Sequence, residues 1–302
     1  MQDGKWLEVS HAKVDFDALL SKFRSAESLP DLPASALQLC DAIDKGDATN
    51  SDLERIILAD PAITACVLRT ANSAMYGGRS QQTSTVKGSI LMLGHKAVRS
   101  VAVSVWVQSL VHQSKSSPKF DAARFAEHSM FVGFLSKYLL SALHKTKGVA
   151  TAWSPDELFA AGVLHDLGLG LLASIEPTLF DRVVDHAAAN GLPLQTAFES
   201  VTERRLGILS VAAAQAWKLP DLFIDVLMGF EEPLSASAEV DSLCCLHYAN
   251  HLADITGHSM NTWRVEPVIE QGVVDRVGLA SEDIPDVLEL VAAHTKDFVA
   301  AA

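Results

Sequence analysis

The stretch AGVLHDLG, residues 161–168, sets an imidazole and a carboxylate side by side, His165 and Asp166, within an apolar run. A neighbouring histidine and aspartate can hold one metal ion and activate a water bound to it. Between His186 and His247 the chain contains no histidine, so this long stretch offers no imidazole to a second metal. The pattern indicates a hydrolase-like helical protein that has lost part of its metal shell.

The composition of the 302-residue chain favours packed helices. Hydrophobic residues make up 49% of the sequence and aromatic residues only 7%, whereas β-sheets are rich in aromatic and β-branched side chains. A chain of this length can bury a substantial core in one large or two modest domains. We therefore predict an all-α protein.

Charge and cysteine usage narrow the functional class. The formal net charge is −13, with 24 lysines and arginines against 37 aspartates and glutamates, which opposes a nucleic-acid surface. The four cysteines lack Cys-x-x-Cys spacing and are expected to be reduced core residues. The N-terminus lacks the pattern of a signal peptide, and we expect no apolar segment of the ~18 residues that span a membrane. The sequence predicts a cytoplasmic protein with no nucleic-acid or membrane partner.

Caps and apolar spacing predict individual helices. Asp60-Pro61 places an acidic N-cap before a proline at the first helical position, and the helix that it opens should end near Asn72. The stretch Ser51–Glu54 has the spacing of a capping box. The apolar run 155–175 predicts one buried helix, and 240–256 predicts another.

Seven motifs are spread over most of the chain. They are LPDLP at 29–33, DPAI at 60–63, VLRTANSAMYG at 67–77, SILMLG at 89–94, EHS at 127–129, HD at 165–166 and WKLP at 217–220. Together these motifs resemble the HDOD domain, a branch of the HD metal-dependent phosphohydrolase superfamily. The resemblance covers roughly residues 25–230, and its most specific part runs from Asn72 to Gly77. It implies a multi-helix bundle with an N-terminal helical subdomain that acts as a bacterial signal-transduction or regulatory module.

The resemblance also implies a set of metal ligands. Active HD enzymes place an early histidine, the His-Asp pair and a late aspartate around one metal, often Mg, Mn, Fe or Ni. The late position falls at an asparagine here, where an amide replaces the carboxylate and its charge. An aspartate one helical turn later would substitute if the register were shifted. The candidate metal ligands are therefore His128, His165, Asp166, Asn250 and Asp254, and no residue is assigned a catalytic role.

At three other positions the chain departs from its metal-rich relatives. Leu169 stands where HD-GYP phosphodiesterases carry a lysine, and Arg205-Leu206 stands where many HDOD relatives carry Asp-His. Gly229-Phe230 follows, where such relatives often have histidines. An apolar side chain cannot ligate a metal, so dinuclear hydrolysis of a phosphodiester is not expected.

The residues leave two interpretations of His128, His165 and Asp166 open. One is a hydrogen-bonded cluster in which the carboxylate orients an imidazole; the other is a weak mononuclear metal site of three protein ligands plus water. The leading functional hypothesis is a non-enzymatic signalling module, with no required cofactor, that binds a protein partner or a small nucleotide signal. The alternative is a mononuclear phosphohydrolase acting on a nucleotide or phosphoester, and a third possibility is a nucleotide sensor without hydrolysis.

Two further sets of residues have simpler explanations. His247 and His251 lie four residues apart and share a helix face, which favours packing or an exposed polar face over a metal pair that lacks a third ligand. Asn72, Tyr76 and Gly77 are expected to fix a tight turn after a helix, with the asparagine capping it.

We divide the chain into three parts. Residues 1–24 form an N-terminal helical segment, and residues 25–235 form the HDOD domain, with an internal break near 114–119 where Ser116-Ser117-Pro118 interrupts the helical pattern. Residues 236–302 form a C-terminal helical part that completes the bundle. The sequence does not predict the oligomeric state.

Overall fold

The chain folds into a bundle of α-helices, as expected. The computed structural model describes residues 14–25, 27–30, 33–73, 76, 82–113, 116–263 and 268–299, and no β-strand occurs among them. The helices are α1 (Phe16–Arg24), α2 (Ala34–Asp44), α3 (Asn50–Leu58), α4 (Pro61–Asn72), α5 (Val86–Gln113), α6 (Ala122–Lys147), α7 (Pro155–Leu164), α8 (Leu167–Ile175), α9 (Pro177–Asn190), α10 (Leu194–Thr202), α11 (Gly207–Ala216), α12 (Asp221–Gly229), α13 (Val240–Ile255), α14 (Gln271–Val277) and α15 (Ile284–Val299).

Side-chain caps fix the starts of α3 and α4. The N-cap expected at Asp60 is present, and its carboxylate accepts two backbone N–H bonds from the first turn of α4, which ends at Asn72 as predicted. The capping box predicted at Ser51–Glu54 is wrong by two residues, because Thr49 and Asp52 exchange these hydrogen bonds at the start of α3. Both Thr49 with Asp52 and Ser51 with Glu54 have the spacing of a capping box. The residue at which the helix begins decides which pair forms the hydrogen bonds.

The two longest helices, α5 and α6, lie at the centre of the bundle. α5 bends sharply at Gly94, where φ is 76°, a conformation that favours glycine. α5 contacts α2, α3, α4 and α7, whereas α6 contacts α7, α13 and α15. One hydrophobic core includes buried residues from both sides of the break expected at 114–119, although residues 114 and 115 themselves lie outside the described part of the chain. The division into domains remains a prediction.

Two apolar segments are long enough to cross a membrane by length and composition, contrary to the expectation that none exists. They are Val86–Val107 and Pro155–Ile175, and 72% and 83% of their most apolar windows are buried within the bundle. Burial in the core accounts for their apolar character.

The run 155–175 forms two helices rather than the single helix predicted. The chain turns between α7 and α8 at His165 and Asp166, and the Asp166 backbone is non-helical, with φ −99° and ψ 20°. Just after the turn, the Gly168 N–H donates to Ser210 Oγ of α11 at 2.8 Å, and a Cβ on this glycine would lie 2.7 Å from that oxygen. The turn that carries the His-Asp pair is therefore packed closely against α11.

Glycines let α6 and α7 cross closely. A Cβ on Gly162 of α7 would lie 2.7 Å from the Cα of Gly133 and 2.9 Å from Ser136 Oγ, both on α6. Backbone atoms cannot yield to an added methyl group as a flexible side chain can. The crossing lies one helical turn before His165, so it positions that residue relative to α6.

We expect Gly162→Ala to lower the free energy of unfolding by about 2 kcal/mol, because α7 must move away from α6 to admit the methyl group. Urea denaturation measures the change. Gly272→Ala in α14 is the matched control, because its Cβ would meet only the flexible end of Leu234 and alanine favours a helix by up to about 1 kcal/mol over glycine. Equal losses in the two variants would contradict this account of the crossing.

Asn72, the last residue of α4, is hydrogen-bonded to Thr83, which lies just before α5. The Asn72 side chain does not simply cap its helix: besides donating to the Leu68 carbonyl, it forms two hydrogen bonds with the backbone of Thr83, each 2.8 Å long. Gly77, the third residue expected in this turn, lies outside the described residues.

Tyr76 forms a largely buried polar cluster with Lys137 and Asp156. Its hydroxyl donates to Asp156 Oδ1 at 2.5 Å, and Lys137 Nζ contacts both that carboxylate, at 2.6 Å, and the hydroxyl. Burial lowers the pKa of Lys137 and raises the pKa of Tyr76. These three side chains form the lysine cluster, which ties Tyr76 to α6 and to the first turn of α7.

The terminal helices pack onto the rest of the bundle. α1 packs against α11, and residues 1–13 of the expected N-terminal segment lie outside the described residues. α13 contacts α6 and α7, and α15 contacts α6 and α4. Lys147 at the end of α6 donates to the carbonyls of Asp275 and Arg276 at the end of α14, at 3.0 and 2.7 Å, where the unpaired carbonyls of a helix attract a cation.

Candidate metal centre

Three of the five predicted ligands meet in the interior. The atoms concerned are His128 Nε2 from α6, His165 Nε2 from the end of α7, and Asp166 Oδ2 from the corner. The two nitrogens are 3.3 Å apart, and they lie 3.4 and 3.3 Å from the carboxylate oxygen, respectively. No other group of three His, Cys, Asp or Glu ligands lies this close together among the described residues.

Backbone carbonyls orient the two imidazoles. His128 Nδ1 lies 2.8 Å from the carbonyl oxygen of His258, and His165 Nδ1 lies 2.7 Å from that of Gly162. A carbonyl only accepts hydrogen bonds, so each Nδ1 carries a hydrogen, and Nε2 of each ring faces the centre, where it can offer a lone pair to a metal ion. This is the arrangement usual for metal-bound histidines, whose outer N–H is held by a carbonyl or carboxylate.

The separations distinguish the two interpretations of the cluster. A charge-assisted N–H···O bond is about 2.7–2.9 Å long, shorter than the 3.3 and 3.4 Å found here. Donors about 2.1 Å from one cation stand about 3.0 Å apart at octahedral angles and about 3.4 Å apart at tetrahedral angles. Asp166 also faces Nε2 of both rings, so it does not orient either imidazole through Nδ1. The residues present therefore fit a divalent cation better than a purely hydrogen-bonded cluster.

The pKa shifts of Asp166 and His128 are also consistent with a centre that attracts positive charge. Burial alone would raise the pKa of Asp166, but His165 and His128 outweigh burial and hold that pKa well below its ordinary range. Burial alone would lower the pKa of His128, but the adjacent negative charge of Asp166 outweighs burial and raises that pKa above its ordinary value. The three donors thus attract positive charge, which either a proton or a metal ion can supply.

The other two predicted ligands, Asn250 and Asp254, are not among the three converging donors and instead line a neighbouring pocket. Asp254 is outside the group of three, and its Oδ1 accepts a hydrogen bond from Ser259 Oγ at 2.6 Å. Asn250 Oδ1 is buried and has no hydrogen-bond partner. A buried carbonyl oxygen without a donor is costly, and a nearby cation or its bound water would satisfy it.

A pocket of about 430 Å³ adjoins the centre and is named the outer pocket here. Arg205, Leu206 and Phe230, three of the residues at which the chain departs from its metal-rich relatives, line the outer pocket. His247 and His251, whose shared helix face was predicted, line it too. His247 Nδ1 donates to the Phe230 carbonyl at 2.9 Å, so one of its nitrogens is already used. The outer pocket is lined by Pro193, Gln195, Thr196, Glu199, Arg205, Leu206, Phe230, Glu231, Glu232, His247, Asn250, His251, Asp254 and Val268.

Access from the outer pocket to the three donors is narrow. The side chains of His128 and Asp166 are 2% exposed, and that of His165 is fully buried. Phe230 packs edge-on against the His165 ring, with centroids 5.5 Å apart. Gln195 spans the boundary, because it lines the pocket and donates to Asp166 Oδ1 at 2.9 Å.

Sequence reasoning missed two contributors to this centre. The His258 carbonyl acts through the backbone, which leaves no side-chain signature. Gln195 orients Asp166 from α10, and nothing in its sequence neighbourhood marks it. Only the packing of α10 and of the turn after α13 against the centre identifies them.

Comparison with known proteins agrees with the fold and the motifs. The sequence profile of the HDOD domain matches residues 29–233. A protein of Treponema pallidum (strain Nichols), described only as uncharacterized, is 22% identical over 204 residues. That match covers 67% of this chain and 37% of the relative, so the chain spans little more than a third of the longer protein.

Solved structures share the architecture. An HDOD domain protein of unknown function from Geobacter sulfurreducens superimposes with a TM-score of 0.73 at 17% identity, covering 94% of this chain and 99% of the other. A provisionally named signal transduction protein from Marinobacter aquaeolei VT8 gives 0.68 at 18% identity, with coverage of 96% and 65%.

A provisionally named metal-dependent phosphohydrolase from Shewanella amazonensis SB2B gives a TM-score of 0.66 at 20% identity, with coverage of 94% and 97%. At these identities the likenesses establish the fold alone. The profile match is broader evidence, because it covers more than half of the chain and contains both His128 and the His165-Asp166 pair. The chain belongs to the HDOD domain family.

Proposed function

We propose that this protein is a signalling module in which His128, His165 and Asp166 hold one divalent cation as a fixed part of the fold, without turnover of a phosphorylated substrate. The observation that carries the proposal is the combination of three converging donor atoms with side chains no more than 2% exposed. A site of this kind can retain a cation but gives a phosphate group little room beside it.

The donor set also suggests which cation fits. Two imidazoles and one carboxylate suit Mn, Fe or Ni better than Mg, which prefers oxygen ligands and keeps several waters. When bound, a divalent cation would supply the positive charge that the three donors lack. His128 would then connect α6 to the turn after α13 through the His258 carbonyl, and Asp166 would connect the corner to α10 through Gln195.

The charge of the outer pocket argues against a phosphorylated substrate. Among the described lining residues, four are acids, Glu199, Glu231, Glu232 and Asp254, and one is an arginine. That arginine, Arg205, is already paired with Glu232. Burial raises the pKa of Glu231 to about 6, so this group is still largely ionised at pH 7. A phosphate dianion entering the pocket would meet net negative charge.

The signalling part of the proposal rests on the family and on the bundle. HDOD membership and the name of the Marinobacter neighbour support a regulatory role. In this account the helical surface binds a protein partner or a small signal, and the buried cation keeps the helices in one arrangement.

Metal content and turnover, measured on the same sample, test the proposal. We expect protein purified without chelators to carry about one Mn, Fe or Ni per chain by inductively coupled plasma mass spectrometry. After loading with each metal, we expect no hydrolysis of cyclic dinucleotides, nucleoside monophosphates or p-nitrophenyl phosphate above the rate of metal in buffer. Turnover near 1 s⁻¹, within the ordinary range for enzymes, would contradict the proposal if His165→Ala abolished it.

A second candidate is a mononuclear phosphohydrolase with the same three ligands. Two features favour it: Gln195 contacts both the outer pocket and Asp166, and Asn250, which lines that pocket, has an Oδ1 without a partner. This candidate expects metal-dependent turnover that His165→Ala and Asp166→Asn both remove while the circular dichroism spectrum stays unchanged.

A further inference from the structure

Two side chains of the outer pocket also contact donor residues of the metal centre. Gln195 donates to Asp166 Oδ1 at 2.9 Å. The Phe230 ring packs edge-on against the His165 ring, with centroids 5.5 Å apart and the ring planes at 89°. Gln195 and Phe230 both line the pocket, so at each of these points a single side chain separates the pocket from a donor residue.

The two side chains differ in what holds them in place. Gln195 is held by a hydrogen bond to a carboxylate, and a hydrogen bond to a charged group is among the stronger contacts within a protein. Phe230 meets His165 through ring packing, which is a weaker contact. The Phe230 ring therefore moves more readily than Gln195, and its movement would break no hydrogen bond of a donor residue.

The backbone of Phe230 is anchored, whereas its ring borders open space. Its N–H donates to the Val226 carbonyl of α12 at 3.0 Å, and its own carbonyl accepts from His247 Nδ1 of α13 at 2.9 Å. The residue is 3% exposed, but the outer pocket of about 430 Å³ beside it gives the ring room to turn. Rotation about the side-chain torsions would then open the His165 ring to the pocket without moving a helix.

Negative charge leads from the pocket towards the centre. The carboxylates of Glu199, Glu231 and Asp254 line the pocket, and none of the three has a lysine or arginine at ion-pair distance among the described residues. Burial raises the pKa of Glu231, and the charge of Asp166 raises it further, so the field of the centre reaches the pocket. A cleft lined by one sign of charge concentrates counter-ions, and here the counter-ion is a cation.

We propose that the outer pocket is the route by which a divalent cation reaches and leaves the three donors, and that the Phe230 ring is the gate on this route, closed in this structure. The inference rests on the proposed function, because it concerns the cation that His128, His165 and Asp166 would hold. It assigns Phe230 a role in the rates of cation entry and release, and none in ligation.

Chemical modification of His165 in metal-free protein tests the gate without any cation. The probe is diethyl pyrocarbonate, which acylates neutral imidazoles, and peptide mass mapping after EDTA treatment measures the rate at each histidine. The His165 side chain is fully buried and should react slowly in the wild-type protein. We expect Phe230→Ala to raise its rate about tenfold, the factor that the loss of one aromatic contact can give. The rate at His186 of α9 should stay unchanged.

Two further variants separate an opened gate from a loosened fold. Phe223→Ala is the matched control, because Phe223 is a buried ring of the same helix and does not line the outer pocket. It should destabilise the protein and leave His165 protected. Phe230→Leu keeps an apolar side chain at the gate and should give an intermediate rate at His165, which preserves the test if Phe230→Ala fails to fold.

The kinetics of cation exchange give a second measurement. Protein loaded with Ni is mixed with an excess of the chelator 4-(2-pyridylazo)resorcinol, and the coloured complex reports the release rate. Because a gate lies on the path and supplies no ligand, entry and release should both become about tenfold faster in Phe230→Ala, with the dissociation constant unchanged. Phe223→Ala should release Ni at the wild-type rate.

Three results would each overturn the gate. They are an unchanged rate of His165 modification in both Phe230 variants, an equal rise in Phe223→Ala, and a weaker dissociation constant for Ni without faster entry. Failure of the proposed function gives a different result, because wild-type protein that binds no metal can still show whether Phe230 closes the route to His165.

Discussion

Replacing Asp166 with asparagine is expected to remove most of the divalent cation from the purified protein. The carboxylate is the one anionic donor of the three that converge, and an amide oxygen is a much weaker ligand for Mn, Fe or Ni. We expect the metal content to fall from about one per chain to less than about a tenth. Mass spectrometry of the protein after gel filtration measures the change.

Thermal melting gives an independent measurement of the same loss. A ligand present at about 100 times its dissociation constant stabilises the folded state by about 2.7 kcal/mol, which for a chain of this size corresponds to about 5 °C. We therefore expect EDTA to lower the melting temperature of the wild-type protein by about that much and to leave Asp166→Asn unchanged.

Asp254→Asn is the matched control for this experiment. Asp254 lies in the outer pocket and accepts its hydrogen bond from Ser259, so its variant should keep the metal and its response to EDTA. If Asp254→Asn lost the metal as completely as Asp166→Asn, the late aspartate would be a ligand and the three-donor centre would be incorrect.

The second large effect is expected at the lysine cluster. Asp156→Asn leaves Lys137, whose side chain is only 11% exposed, without a compensating charge. Removing one member of a buried ion pair costs about 3–5 kcal/mol. We expect the free energy of unfolding, measured by urea denaturation, to fall by about 3 kcal/mol, the lower end of that range, because Asp156 itself is 24% exposed.

Two comparisons test the cause of that loss. Lys137→Met should cost less than Asp156→Asn, because a partly exposed carboxylate can be hydrated whereas a buried ammonium cannot. Asp41→Asn removes the partner of Lys45 in an exposed pair, with side chains 61% and 63% exposed, and should change stability by less than about 1 kcal/mol. A comparable loss in Asp41→Asn would mean that burial is not the cause.

Local rules predicted much of the fold. Asp60 before a proline marked a helix start because side-chain capping acts within a few residues. The corner at His165 and Asp166 escaped prediction for a physical reason. α7 and α8 are both buried on nearly every side, so no amphipathic period changes where one ends, and the contact of Gly168 with Ser210 comes from a distant part of the sequence.

The candidate site was predictable in its donors but not in its surroundings. The motifs identified His128, His165 and Asp166, because a shared pattern fixes side-chain identity. The packing of Phe230 on His165 and the unpaired oxygen of Asn250 depend on how α10, α12 and α13 meet. Residue types alone do not reveal these tertiary features.

Because His128 donates a hydrogen bond to the His258 carbonyl, a cation held as proposed would depend on whether the last quarter of the chain is docked. His258 lies beyond the residues that the family profile matches. A fragment cut at the end of that match would therefore keep all three donors but would leave the His128 ring free to rotate. A protease that cut there, or a binding protein that displaced α13, would thereby weaken cation binding without contacting any of the three ligands. Release of the ion would then report an event at the periphery of the molecule.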